Sequence, residues 1–224
     1  MNPAETKGRD VRLVFLRHGQ TAENTVRRIS TRRPGPPLDA TGRRQAAQAG
    51  RRLAALPGVA GVLTSPLRRA VETADIVAAA VGTPVRVAEE LAECDAGEME
   101  GRLHDDIAAQ IDETWHRWLR LGDLDHPFSP TGECARAAVS RVRRLVERLD
   151  GPGGAEQTFV LVGHGTLFRI VLPHLCANLS AEFVLADPGI DNTEQVDAVR
   201  VDGALRCESW RGSPLPAPVR ARPR

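Results

Sequence analysis

The chain has 224 residues, 42% of them hydrophobic and 26% charged, with a formal net charge of +1; this make-up fits a globular protein of one domain or two very small ones. Its longest unbroken apolar run, Ile76 to Val81, falls far short of the ~20 residues of a membrane span, and near-neutral charge gives no global pull toward nucleic acid or membrane. Lys7 is the only lysine and tyrosine is absent, which argues against chemistry built on a Schiff-base, P-loop or kinase lysine or on a tyrosine acid.

Residues 1–10 are polar without an apolar h-region and read as a flexible tail, not a signal peptide. Val11 to Leu16 is a short apolar run that predicts a buried strand, ending at Arg17-His18-Gly19. Residues 27–39, basic and rich in proline and glycine, predict a loop. Ala46, Ala49, Leu53 and Leu56 follow at helical spacing. Thr41 is the expected N-cap, Pro57-Gly58 the stop, and Gly50 a point of close approach. Val59 to Leu63 predicts a second strand. Ser65-Pro66 then opens a helix, Ser65 as N-cap and Pro66 at the first helical position; Leu67, Ala70, Val71, Ala74, Val77, Ala78 and Val81 form its apolar stripe. Pro84 to Val87 is a third strand.

Residues 93–133 are the least regular, with helical character from Ile107 to Leu121. Trp115 and Trp118, three apart, are expected in the core. A long amphipathic helix is predicted from Thr131 to Leu149, closed by Gly151-Pro152-Gly153-Gly154. Thr158 to Val162 predicts a strand ending at Gly163-His164-Gly165. Leu167 to Leu175 predicts a helix interrupted at Pro173. Glu194 to Val201 and Ala204 to Trp210 predict a hairpin turning at Asp202-Gly203. From Gly212 on the chain is expected to be disordered. The scattered Cys94, Cys134, Cys176 and Cys207 read as reduced thiols of a cytoplasmic protein.

This alternation predicts an α/β fold, a three-layer α-β-α sandwich on a mostly parallel sheet, as a single domain over residues 11–211. Such sheets place ligands at the carboxyl ends of their strands. Two strands end in histidine turns, so His18 and His164 meet if those strands are neighbours. Around His18, Arg17 offers a fork matched to phosphate oxygens, Gly19 permits close backbone approach, and Thr21 and Asn24 add neutral hydrogen-bonding groups.

Several ordered blocks carry a resemblance: Arg17-His18-Gly19-Gln20-Thr21 with Asn24; Pro37-Leu38-Asp39-Ala40-Thr41-Gly42; Ser65-Pro66-Leu67-Arg68-Arg69-Ala70-Val71-Glu72-Thr73-Ala74; Leu91-Ala92-Glu93 followed by Gly97-Glu98-Met99-Glu100-Gly101; Gly132-Glu133; and Gly163-His164-Gly165-Thr166. Over roughly residues 11–210 the chain resembles the histidine phosphatase superfamily, also called phosphoglycerate-mutase-like. The resemblance implies that His18 is the nucleophile that becomes phosphohistidine. It makes Arg17, Arg69 and His164 the phosphate pocket, Glu93 the proton donor, and Asn24, Gln20, Thr21, Thr166 and Glu133 further phosphate or substrate contacts. It implies no metal and no cofactor. The expected partner is a small phosphorylated substrate, with no nucleic acid and no membrane, and a homodimer is the assembly to test for.

The chemistry is coherent. An alkoxide leaves poorly unless protonated, and a carboxylic acid of raised pKa supplies the proton; Glu89, Glu90, Asp95 and Glu98 are expected to raise that of Glu93. Arg17, Arg69 and a protonated His164 would neutralise the transferring group. Residues 89–133 hold 3 basic and 13 acidic residues, against 15 and 6 in residues 1–88. If residues 94–133 form a cap, an acidic lining favours a neutral, polyhydroxylated or amine-bearing leaving group. Glu93 is followed by Cys94-Asp95-Ala96, without the arginine and tyrosine of phosphoglycerate mutases. Hydrolysis is therefore favoured over the phosphomutase alternative, and over a non-catalytic phosphate-binding scaffold.

Overall fold

A computed structural model describes residues 11–149, 157–201 and 203–215. The expected tail over residues 1–10, the glycine-proline turn at 151–154, Asp202 and residues 216–224 lie outside the described residues.

A seven-stranded sheet runs in the order β3-β2-β4-β1-β5-β6-β7. Its strands are β1 (Val11–Arg17), β2 (Val59–Thr64), β3 (Val85–Val87), β4 (Gln157–Gly163), β5 (Gln195–Val201), β6 (Ala204–Trp210) and β7 (Ser213–Pro214). The first four are mutually parallel, and β5 joins β1 antiparallel. Helices cover both faces, which is why β1 and β4 read as near-continuous apolar runs. In β1, Val14 and Leu16 pack toward α2 (Ala40–Leu53) and α3 (Arg68–Val81). Leu13 and Phe15 pack toward α5 (Ala135–Arg148) and α6 (Gly165–Leu175). The predicted sandwich is thus observed. β1 and β4 are in register, with Arg17 opposite Gly163, so both histidine turns leave the sheet at one edge.

Several boundaries differ from expectation for local reasons. Asp39, not Thr41, caps α2: its carboxylate accepts from the Gly42 N–H at 2.7 Å, and an anion at a helix N-terminus also meets the dipole favourably. Gly50 does allow the expected approach, since a Cβ there would lie 2.9 Å from the Ala80 side chain on α3. Ser65 does not cap α3, which begins at Arg68; its hydroxyl accepts from the Leu67 N–H and faces His164. The helix expected from Thr131 begins only at Ala135, after a turn closed by Gly132 N–H to Ser129 O. Helix α6 runs through Pro173 without interruption. Ser213 and Pro214, expected in a disordered tail, pair with β6.

Short helix α1 (Ala22–Thr25) follows the His18 turn. Helix α4 (Ala108–Trp115) continues into a π-helical turn over His116–Arg120. There Trp118 is buried, donates its indole N–H to His126 O at 2.7 Å, and packs edge-on against Trp115. The core expectation for this pair holds, and neither lines the cavity below. No helix among the described residues is long and apolar enough to cross a membrane.

Candidate active site

The in-register ends of β1 and β4 bring the two imidazoles together, with ring centroids 5.2 Å apart. The His18 backbone N–H still continues the ladder to Gly163 O at 3.0 Å. The turn that follows is tight: a Cβ on Gly19 would lie 2.5 Å from Gly42 O. Glycine at both positions lets the His18 turn sit directly on the start of α2.

Hydrogen bonding fixes the tautomers. His18 Nδ1 meets Gly19 O at 2.7 Å, and a carbonyl only accepts, so Nδ1 carries the proton and Nε2 the lone pair. Arg69 Nε donates to that Nε2 at 3.0 Å. Burial, then Arg69 and Arg17, push the His18 pKa well below its ordinary value, so the ring stays neutral. Arg69 Nη2 also donates to His164 Nδ1 at 3.1 Å and to Ser30 O at 2.8 Å. A guanidinium cannot accept, so the His164 proton sits on Nε2, which faces Ser65 Oγ at 2.7 Å. His164 is completely buried, and its pKa is likewise driven well down by burial and then by Arg69. The expectation of a protonated His164 is corrected: it stands here as a neutral ring that orients Arg69.

Of the two adjacent arginines on α3, Arg69 is turned inward and Arg68 lies exposed, paired with Glu72. Arg17 donates Nη1 to Ile190 O at 2.6 Å. The buried guanidinium nitrogens Arg17 Nε, Arg69 Nη1 and Arg169 Nε, all on cavity-lining residues, have no hydrogen-bond partner among the described residues. Burial and the mutual proximity of the cations lower the Arg69 pKa to about 10, partly offset by Glu93. It remains charged at neutral pH.

Glu93 lies on the loop after β3. Its Oε1 accepts from the Cys94 and Leu167 N–H groups, both at 2.9 Å. Its pKa is raised, as expected, but by burial. The neighbouring acids are not the cause. Glu89 pairs with Arg33, Glu90 with Arg148, Asp95 turns to the Gly97 N–H, and Glu98 is exposed.

Arg17, His18, Arg69 and Glu93 line one cavity of about 440 Å³, together with Thr21, Asn24 and Thr166. Asn24 Oδ1 accepts from Thr21 N–H and Asn192 Nδ2, leaving its amide NH₂ for a ligand. The Thr21 hydroxyl is committed to capping α1. Two expected contacts are corrected. Gln20 does not line the cavity: its amide donates to Asp39 Oδ2, and its backbone N–H to Gln45. Glu133 also lies outside it, where Arg141 holds it bidentately at 2.8 and 2.9 Å.

The acidic lining is corrected as well. Of the acids between residues 89 and 133, only Glu93 lines the cavity. The outer wall instead carries Arg27, Arg28 and Arg169 against Glu23 and Asp191. The arginine- and proline-rich loop does form part of this wall, through residues 27–31 and Pro36. From the segment 94–133, only Cys94, His104 and Phe128 reach it. Sequence reasoning missed the loop from Pro188 to Asn192, whose Asn192 donates to His18 O at 2.9 Å. It has no periodicity or motif; only the pairing of β5 with β1 carries it to the site. Among the described residues, no cluster of three or more histidine, cysteine or acidic side chains is placed to hold a metal ion.

Comparison with known proteins is consistent with this geometry. Residues 13–211 match the model of the histidine phosphatase superfamily, branch 1. "Bifunctional protein Rv2228c" of Mycobacterium tuberculosis is 37% identical over 167 residues, which are 74% of this chain and 44% of that protein. The chain thus spans less than half the length of the first curated relatives it matches. "Probable phosphoglycerate mutase GpmB" of Citrobacter koseri is 35% identical over 69% of this chain and 70% of its own length. Among solved structures, the mycobacterial glucosyl-3-phosphoglycerate phosphatase Rv2419c superposes with a TM-score of 0.73 at 28% identity, covering 92% of this chain and 100% of that one. A family match over residues 13–211, with a site in which Arg69 bridges His18 on the cavity wall to the fully buried His164, places the chain in branch 1 of the histidine phosphatase superfamily.

Proposed function

We propose that the chain is a metal-independent phosphomonoesterase that hydrolyses a small phosphorylated metabolite through a phosphohistidine at His18. One observation carries this reading: His18 keeps a neutral ring with its lone pair on Nε2, where Arg69 Nε meets it at 3.0 Å, and the buried guanidinium nitrogens Arg17 Nε and Arg69 Nη1 have no hydrogen-bond partner among the described residues. Unpaired buried donors are costly, and phosphoryl oxygens would satisfy them. Asn24 and Thr166 would complete the cradle from the neighbouring helix starts.

In the first step Arg69 moves from His18 Nε2 onto a phosphoryl oxygen. The Nε2 lone pair forms a bond to phosphorus, and the ester P–O bond breaks. The leaving oxygen takes that electron pair and the Glu93 proton. In the second step water attacks phosphorus and gives a proton to the Glu93 carboxylate. The N–P bond breaks, its electrons return to Nε2, and inorganic phosphate departs. Glu93 suits both steps because burial raises its pKa while Arg69 and Arg17 keep its anion accessible. The arginines supply the positive charge that phosphoryl transfer requires.

The test is phosphate release from sugar phosphates, nucleotides, phosphoglycerates and an aryl phosphate, with chelator present, beside His18→Ala. Release that survives chelation and falls at least 10³-fold in the variant is expected; equal release from both proteins would defeat the reading. A second reading, phosphomutase, draws on the likeness to the Citrobacter koseri protein and on the arginines of the outer wall. It predicts isomerised phosphoglycerate with little free phosphate in the same assay.

A further inference from the structure

The antiparallel pairing of β1 with β5 runs past the start of β5. Arg17 N–H donates to Glu194 O and Thr193 N–H to Arg17 O, both at 3.1 Å. The next residue out along this ladder, Asn192, therefore stands beside His18. Thr193 is buried and left-handed, φ 58°, a genuine outlier for a β-branched residue. Its surroundings hold it there. Thr193 O accepts from Arg52 Nη2 on α2 at 3.0 Å, and Ile190 O from Arg17 Nη1 at 2.6 Å. Glu194 Oε2 takes both Arg211 Nε and the Asp191 N–H at 2.7 Å. Backbone strain that the surrounding structure enforces clusters at functional positions.

This loop brings one amide nitrogen to the nucleophile. Asn192 Nδ2 donates to His18 O at 2.9 Å and to Asn24 Oδ1 at 3.3 Å. Both amides have a forced orientation. His18 O only accepts, so Asn192 turns its NH₂ toward it. The Thr21 N–H meets Asn24 at 3.1 Å, so the oxygen of that amide is turned to Thr21 and Asn192, and its NH₂ is left for a ligand. Asn192 has two amide protons and spends both inside the protein. It has none to give a ligand itself. The peptide that it grips by the carbonyl is gripped at the other end as well, where Gly19 N–H donates to Thr73 Oγ1 at 3.0 Å. The turn of the nucleophile is pinned on both sides, and one of the pins reaches on to Asn24.

We propose that Asn192 is a positioning residue of the phosphate site, its amide fixing the Asn24 side chain against the backbone of the His18 turn. The inference rests on the hydrolase reading above, in which Asn24 holds the phosphoryl group. A group so held reacts only if phosphorus lies in line with His18 Nε2, and small misplacements are costly. Asn192 sets that relation from outside the reacting atoms.

The first arm of the test measures kcat/KM for phosphate release from an aryl phosphate. It uses wild type, Asn192→Ala, Asn192→Leu, Asn24→Ala and the two double variants. Leucine fills nearly the same space as asparagine and donates nothing, so it separates packing from hydrogen bonding. Both Asn192 variants keep the backbone contacts of the loop to Arg17 and Arg52 and should fold, which urea midpoints check; should one not fold, the other carries the comparison. Each should lose ~10–100-fold. In the Asn24→Ala background the same substitutions should cost less by about threefold or more, as for residues of one network. Activity retained in Asn192→Leu, or an equal loss with and without the Asn24 side chain, overturns the proposal. The second arm measures binding of inorganic phosphate to the same proteins by calorimetry. Kd should rise about fivefold or more in Asn192→Leu and no further when Asn192→Leu is added to Asn24→Ala. An unchanged Kd in Asn192→Leu also overturns the proposal. A coupled loss of phosphate affinity with no phosphate released by wild type overturns the hydrolase reading and leaves the positioning of Asn24 standing.

Discussion

Glu93 sits in a desolvated position. Two backbone N–H bonds and two nearby arginines stabilise its anion, yet burial outweighs them and its pKa rises. His18 moves the other way, its pKa driven well below the ordinary value. On the proposed mechanism the competent form is neutral His18 with protonated Glu93, which the lowered histidine pKa and the raised carboxyl pKa both favour. A kcat/KM profile with its maximum on the acid side of neutrality is expected. Activity should fall at high pH as Glu93 loses its proton and at low pH as His18 gains one. Glu93→Gln should lower kcat/KM for a sugar phosphate by ~10²–10⁴ and flatten the basic limb. An aryl phosphate, whose leaving group needs no proton, should lose far less. Equal losses on both esters would remove Glu93 from the acid role. Much of the cavity was legible in the sequence, since Arg17, His18, Asn24 and Thr166 sit in contiguous strand-end motifs and Arg69 and Glu93 in short blocks. Gln20 and Glu133 misled because they belong to the same blocks but face helix α2 and Arg141. The charge of the outer wall was not legible. Acidic residues in a block need not share a face, and most of residues 89–133 point away from the cavity.

At the scale of elements, the loop that carries Glu93 depends on a helix behind it. Arg141 on α5 holds Glu133 with two nitrogens and donates Nη1 to Glu90 O. It thereby joins the residues before Glu93 to the turn before α5. The pair is largely withdrawn from solvent, with side chains 15% and 18% exposed. Arg141→Ala would leave Glu133 without its partner and free the Glu90 carbonyl. A loss of ~1–3 kcal/mol is expected, read as a lower urea midpoint. If Arg141 positions Glu93, the basic limb of the pH profile should also shift; a midpoint change with an unmoved profile would make its role purely structural. The elements themselves followed from periodicity, because β1, β4, α2, α3 and α5 bury single faces or both faces as their patterns require. Their starts did not. Ser65 has the chemistry of a cap, but a buried histidine opposite it takes its hydroxyl, and nothing in local sequence signals that competition.

Across the whole molecule, the two buried histidines are also a cost to stability in acid. Both are buried between cations, so both bind a proton far less readily in the folded chain than in the unfolded one. Where the unfolded chain binds more protons, stability rises with pH. As pH falls below the ordinary histidine value of ~6.5, the unfolded state takes up protons that the native state refuses, and stability drops. Glu93 acts in the opposite sense. Its raised pKa lets the native state hold a proton that the unfolded state releases, so its contribution is present at low pH and fades as pH rises through the folded value. Two histidines outweigh one carboxyl. Each contributes at most 1.36 kcal/mol per pH unit, so the pair gives a slope of up to ~2.7 kcal/mol per unit below pH 6.5. Urea unfolding from pH 7.5 to 5.5 should show this fall. His164→Gln and His18→Gln should each flatten it by about half, and Glu93→Gln should steepen it. Inorganic phosphate at concentration c should raise stability by RT ln(1 + c/Kd), and Arg69→Ala should abolish that rise. A wild-type slope unchanged by either histidine substitution would mean that the two rings titrate freely in the folded protein, which the Arg69 bridge between them forbids.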